Sequence, residues 1–484
     1  MFYCLTIAAN CVIIQSNDYI NEENAMAASR SRSSIPMTEG SLFRNTFLFS
    51  LPLILSSWLQ LLFNAADTIV VGRFSGAQAL AAVGSTGSIN QLLICLFLGL
   101  GTGANVIVAR AIGAKNHDFA SRSAHTAIAT ALLSGVILSF LGFFLSRPLL
   151  KMMDSPADVI DLATTYMRII FIGMPMQLLY NFCAALLRSV GDTKKPLYFL
   201  TVAGVVNVIL NLFFVIVLDM SVAGVAIATV ISHTISSLLA LRSLTKRDDM
   251  LRIDLKKLRI EWKIFIEIAR VGLPTGIQSA MFSIANVLIQ STRNSFGSIV
   301  MAGCAASSNV GGFISQGLNA FAMACTSFVS QNYGAKKPQR ILRSMWVCQI
   351  WSLMITGALG VLGYFFGEQL LSLYNNDPEV IKWGMEQFMV VNVPYFLMGF
   401  QSIFSGALRG IGYSLLPMII SIVGICIFRV VWVMTIFKLN PTLRFLNISY
   451  PISWTITGIV MGITFFCFFK RVKARLMQDT PAAI

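Results

Sequence analysis

Asp67 stands in the run FNAADTIVVG, where nearly every neighbour is apolar. The other acidic residues, 21 in all with Asp67, fall almost entirely in polar stretches or at the ends of apolar runs. A charged Asp at the centre of a membrane helix costs about 2.5–3.5 kcal/mol on insertion scales, so one that is present is rarely lipid-facing and usually serves ions or protons. Its carboxyl can exchange a proton or offer oxygens to a cation; the plainer alternative is an Asp that only fixes packing. The run VVNVILNLFF supplies Asn207 and Asn211, four apart and so on one helical face, each amide being both donor and acceptor. That pair suits ordering a carboxylate, a cation such as Na⁺, or water, and equally suits gluing two helices together. Thr229, in GVAIATVIS, reads first as a hydroxyl bonded to its own helix and second as a further oxygen for the same cluster. Asn64 precedes Asp67 by one turn, and Gln290 stands near the position that the repeat described below makes equivalent to Asp67. Arg429 and Arg168 are the basic residues within apolar spans, towards one end, where a long side chain can snorkel to the interface.

Positioning these residues requires a membrane framework. Of 484 residues, 56% are hydrophobic and 12% charged, against about 25% charged in a soluble domain. This excludes a soluble globular chain and a disordered one. The nine Cys form no CxxC pair and mostly sit in apolar runs, so neither a disulfide framework nor a zinc site is expected. Spanning takes about 20 apolar residues. Twelve segments qualify: 46–71, 86–111, 123–146, 160–187, 196–218, 221–241, 264–292, 301–331, 344–366, 383–408, 414–437 and 450–469.

The charge excess of +15 follows from topology. Of the 36 Lys and Arg, 27 map to one set of loops and tails, including nine between 242 and 270. The alternate loops hold Arg73, Arg147, Lys151, Arg293, Lys382, Lys438 and Arg444. The positive-inside rule places the first set and both termini in the cytoplasm of a multi-pass inner-membrane protein. Nucleic acid is not an expected partner; the bilayer is.

The two halves repeat. Gly113-Ala114-Lys115 returns as Gly334-Ala335-Lys336, and Arg188, Gly191 and Pro196 return as Arg409, Gly412 and Pro417, all 221 residues on. Pro52 and Pro274 differ by 222. Six helices per half is an even number, so the halves are parallel repeats. The expected fold is an all-α polytopic protein of twelve transmembrane helices: an N-terminal extension at 1–36, lobes at 37–241 and 264–470, a linker at 242–263, and a tail at 471–484. The extension has the character of sequence upstream of a natural start. No phosphate-cradling G-x-x-x-x-G-K-[ST], H-E-x-x-H or G-x-S-x-G occurs. That argues for a secondary transporter rather than an enzyme or an ATP-driven pump.

The run PLILSSWLQLLFNAADTIVVGRFSGAQALAAVG, the two GAK loops, ALLRSVGDTKKP with its partner ALRGIGYSLLP, and the NVILN stretch together resemble the multidrug and toxic compound extrusion (MATE) family over about residues 37–470. The resemblance implies a V-shaped pair of six-helix bundles, functional as a monomer and without a cofactor. It implies export of small amphipathic, often cationic organic compounds in exchange for H⁺ or Na⁺. By position, Asp67 matches the family's first-helix carboxylate, Asn207 its helix-five Asn, Thr229 its helix-six Thr, and Pro52 a first-helix proline associated with bending. Asn211 stands where some members carry Asp, which favours H⁺ over Na⁺, and the absence of a carboxylate near Met398 favours the DinF-like branch. Two other functions stay open: a lipid-linked oligosaccharide or lipid flippase of the same superfamily, and a channel or non-transporting receptor.

Overall fold

The chain is described here from a computed structural model covering residues 34–153, 156 and 158–478. Residues 1–33 and 479–484, and with them most of the expected extension and the end of the tail, lie outside the described residues. Every regular element among the described residues is helical. Eleven helices are long and apolar enough to cross a membrane, and a bent pair makes the twelfth span. The spans are α1 (Leu42–Phe74), α2 (Gly76–Gly113), α3 (His117–Met152), α4 (Ile160–Ile172 with Met174–Ser189), α5 (Lys194–Val217) and α6 (Ser221–Thr245). The second half holds α7 (Trp262–Asn294), α8 (Ser298–Gly334), α9 (Pro338–Ser372), α10 (Pro378–Gly410), α11 (Leu415–Leu439) and α12 (Leu443–Gln478). The chain is a multi-pass membrane protein.

Local chemistry explains the interruptions. α4 bends by 48° at Gly173. Pro175 has no N–H to give to the Phe171 carbonyl, and Ser139 of α3 donates to that oxygen instead, at 2.6 Å. α5 widens into a π-helical turn at Phe213–Val217, directly after Asn211. α10 does the same at Phe388–Asn392 before Pro394, and α11 at Ile422–Ile427. Such wide turns gather at functional positions more often than in plain helix.

The repeats do not form two self-contained bundles, as the division at 242–263 suggests. At the end where the described residues begin and stop, called here the basic end, α1 buries Phe49, Leu53 and Ile54 in a core with α8, α9, α10 and α12. Reciprocally, α7 buries Ile264, Ile268 and Val271 among α2 to α6. Towards the opposite end each returns to its own half, α1 through Val70 and Val71 and α7 through Phe282. Glycines permit this crossing: a Cβ on Gly103 would meet the Ile268 carbonyl at 2.2 Å, and one on Gly276 would meet that of Leu96 at 2.6 Å. Pro52 and Pro274 both lie in the crossing region. The linker is likewise not free. It starts after α6 ends at Thr245, and Leu251 and Ile253 pack fully into the core of the first half.

At the basic end the halves are bound together. Arg110 Nη2 donates to the Gly410 carbonyl at 3.0 Å, Gln331 Nε2 to that of Ser189 at 2.6 Å, and Asn105 Nδ2 to Ser327 Oγ at 3.0 Å. Gly191 and Gly412, 221 apart, both hold left-handed backbone (φ 89° and 93°) in the turns after α4 and α10, a conformation glycine adopts without steric cost. Residues 35–40 form a strap across both halves. Ile35 N–H donates to the Gly191 carbonyl at 3.2 Å, Asn332 Nδ2 to that of Met37 at 3.1 Å, and Arg340 Nη2 to that of Gly40 at 3.0 Å.

Candidate functional site

Four of the side chains singled out in the first half come together in one place, towards the end of the bundle away from the basic end. α1 brings Asp67, α5 brings Asn207 and Asn211, and α6 brings Thr229. The approach of α1 to α5 is set one turn earlier, where a Cβ on Gly204 would sit only 1.8 Å from the Phe63 ring. Gly204, Asn207 and Asn211 share one face of α5, so the same contact that seats Phe63 carries the amides to Asp67.

The polar chain is continuous. Thr229 Oγ1 donates to its own helix at Val225 O, 2.9 Å away, and Asn207 Nδ2 reaches Thr229 Oγ1 at 3.4 Å. Asn211 Nδ2 donates to Asn207 Oδ1 at 3.1 Å and also to Asp67 Oδ1. Asn207 and Asn211 are buried, while Asp67 is half-buried, so the chain runs from a dry core to a face that can be wetted. Asn211 Oδ1 is buried without a partner. It is a spare acceptor beside the carboxyl, available to a proton donor, a water or a cation. No cation lies within salt-bridge distance of Asp67 among the described residues, so its charge, when present, rests on one amide. Tyr166 of α4 lies within electrostatic reach of Asp67. It was not among the residues sequence reasoning chose, because a Tyr in TTYMRII carries no signal beyond amphipathic packing.

The remaining sequence candidates stand apart from this cluster. Asn64 is exposed and contributes its carbonyl to Thr68 at 2.9 Å. Gln290 is exposed and donates to Asn294 on its own helix at 3.1 Å, so the second half has no counterpart of the Asp67 cluster. Pro52 is buried where α1 crosses into the opposite half, away from Asp67. Among the described residues no group of three or more His, Cys, Asp or Glu could hold a metal ion.

Arg429 corrects the snorkelling expectation. It is 4% exposed and lies over the Tyr450 ring at 3.8 Å from the centroid. Arg293, assigned from sequence to a loop, is 6% exposed and faces the same ring at 5.5 Å. The NSFG turn that follows Arg293 gave it the look of a loop residue, whereas α7 carries it inward in its last turn.

Comparison with known proteins fits this architecture. A MatE family model matches twice, at residues 52–213 and 274–435, two blocks displaced by 222 residues. A Bacillus subtilis protein described as "Probable multidrug resistance protein YoeA" is 30% identical over 451 residues, covering 90% of this chain and 96% of its own. A Shewanella oneidensis protein described as "FAD transporter" is 25% identical, covering 87% and 93%. Among solved structures, a MOP superfamily transporter from Pyrococcus furiosus superposes with a TM-score of 0.85 at 24% identity, covering 91% of this chain and 98% of that one. With this family match and relatives named as multidrug resistance proteins and transporters, the twelve-span helical fold of two repeats is that of a membrane transporter, not an enzyme. The chain belongs to the MatE family.

Proposed function

We propose that this protein is an H⁺-coupled antiporter of the inner membrane that exports small amphipathic organic compounds, often cationic, by alternating access. Multidrug resistance is what relatives such as the B. subtilis protein are named for. The basic end, rich in Lys and Arg, faces the cytoplasm in this reading, and one chain suffices for the cycle.

The observation that carries the proposal is Asp67 hydrogen-bonded to Asn211 with only neutral amide and hydroxyl groups behind it. Ionised, the carboxylate accepts from Asn211, and that amide keeps Asn207 and then Thr229 in line. Protonated, Asp67 becomes a donor and matches the spare Oδ1 of Asn211. A turn of the Asn211 amide to accept that proton withdraws its N–H from Asn207 Oδ1 and leaves Asn207 free to reorient against Thr229. One proton therefore exchanges two hydrogen-bonding patterns across α1, α5 and α6. Na⁺ has no second negative charge here to offset its desolvation. Pro52 leaves the Leu48 carbonyl of α1 without a helical donor, which makes that turn the place where α1 bends most easily. Substrate and proton must favour different states, since a ligand shifts an equilibrium only through differential affinity.

The test is export measured in everted vesicles. Drug accumulation should collapse with a protonophore and be indifferent to an imposed Na⁺ gradient. Accumulation that follows Na⁺ and ignores the pH gradient overturns the H⁺ assignment.

A further inference from the structure

The buried arginines of the second half are not used by the mechanism above. Arg293 of α7 and Arg429 of α11 both face the Tyr450 ring of α12, and Arg429 also lies 5.7 Å from the Trp454 centroid. Arg429 Nε donates to Ser453 Oγ at 3.1 Å, and Arg293 Nη2 to Asn447 Oδ1 at 3.0 Å. Much of their donor capacity is unspent: Arg429 Nη2, Arg293 Nε and Asn447 Nδ2 are all buried without a partner. Among the described residues neither guanidinium has a carboxylate within salt-bridge distance. Glu386 of α10, which with Arg293 acts electrostatically on Cys304, pairs with neither.

Two buried positive charges with no counter-ion are costly, several kcal/mol per ion after relaxation. Ring contacts return only about 0.5–2 kcal/mol each. Polar donors left over in such a place await an acceptor that carries negative charge. A guanidinium fork matches the planar or tetrahedral oxygens of a carboxylate or phosphate. Trp454 also forms one end of an apolar groove of about 600 Å³ along α12, lined by Leu397, Phe400, Phe404, Gly458 and Ile459 and open on the side where Ile459 and Ile463 are exposed. That volume is of the size that holds a drug-like ligand.

We propose that the second half holds a binding site for an amphipathic anion, its carboxylate or phosphate at Arg293 and Arg429 and its apolar body in the groove beside Trp454. The site extends the substrate class of the proposed transporter from cations to anions and zwitterions. It depends on the transporter reading only for its purpose, since binding can be measured without transport and without Asp67.

The experiment measures the thermal stability of the full chain in maltoside micelles while dodecyl phosphate is titrated. Dodecyltrimethylammonium serves as a cation of equal chain length, and phosphatidylglycerol represents the bilayer source of the same headgroup chemistry. Dodecyl phosphate should raise the melting temperature saturably and the cation should not. Arg429→Gln, and independently Arg293→Gln, should each weaken the apparent affinity by about tenfold or more, and Arg429→Lys by less, since charge remains but the fork is lost. Should one Gln variant not fold, the other still decides. Equal stabilisation by the cation, or undiminished affinity in a folded Gln variant, overturns the site. Stabilisation by phosphatidylglycerol but not dodecyl phosphate overturns the substrate assignment. Loss of H⁺ coupling elsewhere would leave all of these readings unchanged.

Discussion

At the scale of single residues, the proposed coupling rests on one carboxyl and the glycine that seats it. Asp67→Asn keeps the shape but removes the exchangeable proton. The protein should fold and insert, while pH-driven efflux falls by about 5–150-fold, the range of ordinary coupling energies. Efflux at matched expression, with proton release on adding substrate, checks this, and wild-type values in both would reduce Asp67 to packing. Asn211→Ala should cost less, because water can replace one amide. Gly204→Ala places a methyl inside the Phe63 ring position. Overpacking of that kind costs about 1–3 kcal/mol, read as a lower melting temperature and weaker efflux together. Combining it with Phe63→Leu should recover both, and failure to recover would mean that Gly204 matters for some other reason. Asp67, Asn207 and Asn211 were legible in the sequence because a buried acid and an amide pair at helical spacing are expensive in an apolar run. Arg293 was not legible: its neighbours read as a turn, and only the reach of its side chain to Asn447 and Tyr450 of α12 shows it buried.

At the scale of elements, the linker carries a charge arrangement that can be titrated from solution. Arg122 at the start of α3 hydrogen-bonds the Glu261 carboxylate just before α7, and Arg259 adds a second contact at 3.2 Å. The Arg122 guanidinium holds the Glu261 carboxyl below its ordinary range, with Arg259 assisting. A carboxyl depressed in the folded state contributes docking stability that is full above its unfolded value and is lost as pH falls through the depressed one. Opening of 246–261, read from hydrogen exchange relative to the intrinsic rate at each pH, should therefore be constant at neutral pH and rise below about pH 4, near the unbound carboxylate value. Glu261→Gln should flatten that rise, and an unchanged profile in the variant would assign the docking to Leu251, Ile253 and the Asp254 N–H bond to His125 Nε2. The sequence marks the linker at 242–263 by its basic residues, but Leu251 and Ile253 are two apolar residues among charges, too few to signal a docked segment. The exchange of α1 and α7 was invisible for a related reason. Hydropathy counts spans without saying which neighbour a glycine-rich face will meet.

At the scale of the whole molecule, twelve spans and two repeats were readable from run lengths and the 221-residue spacing, because both are one-dimensional properties. Orientation remains to be measured. In a background with the native Cys replaced, Lys257→Cys in the linker and Asn440→Cys between α11 and α12 are both exposed. A membrane-impermeant maleimide should label Asn440→Cys in intact cells and Lys257→Cys only after lysis or in everted vesicles. The reverse pattern would invert the protein and the direction of transport with it.

The closure of the basic end has a history written into it. Shifting by 221 residues turns Arg110 into Gln331 and Ser189 into Gly410, so the bonds Arg110 to Gly410 and Gln331 to Ser189 are one contact made twice. The glycine approaches obey the same rule, Gly113 lying against the Gln331 backbone and Gly334 against that of Arg110. Reciprocal contact of this kind is what a two-fold homodimer makes. A six-helix progenitor carrying this patch would have recognised its own copy, and fusion of the two genes would have kept the joint while freeing the copies to differ. The acid of one half and the arginines of the other are the specialisation that such freedom allows: a dimer of identical chains must carry both charges twice or neither.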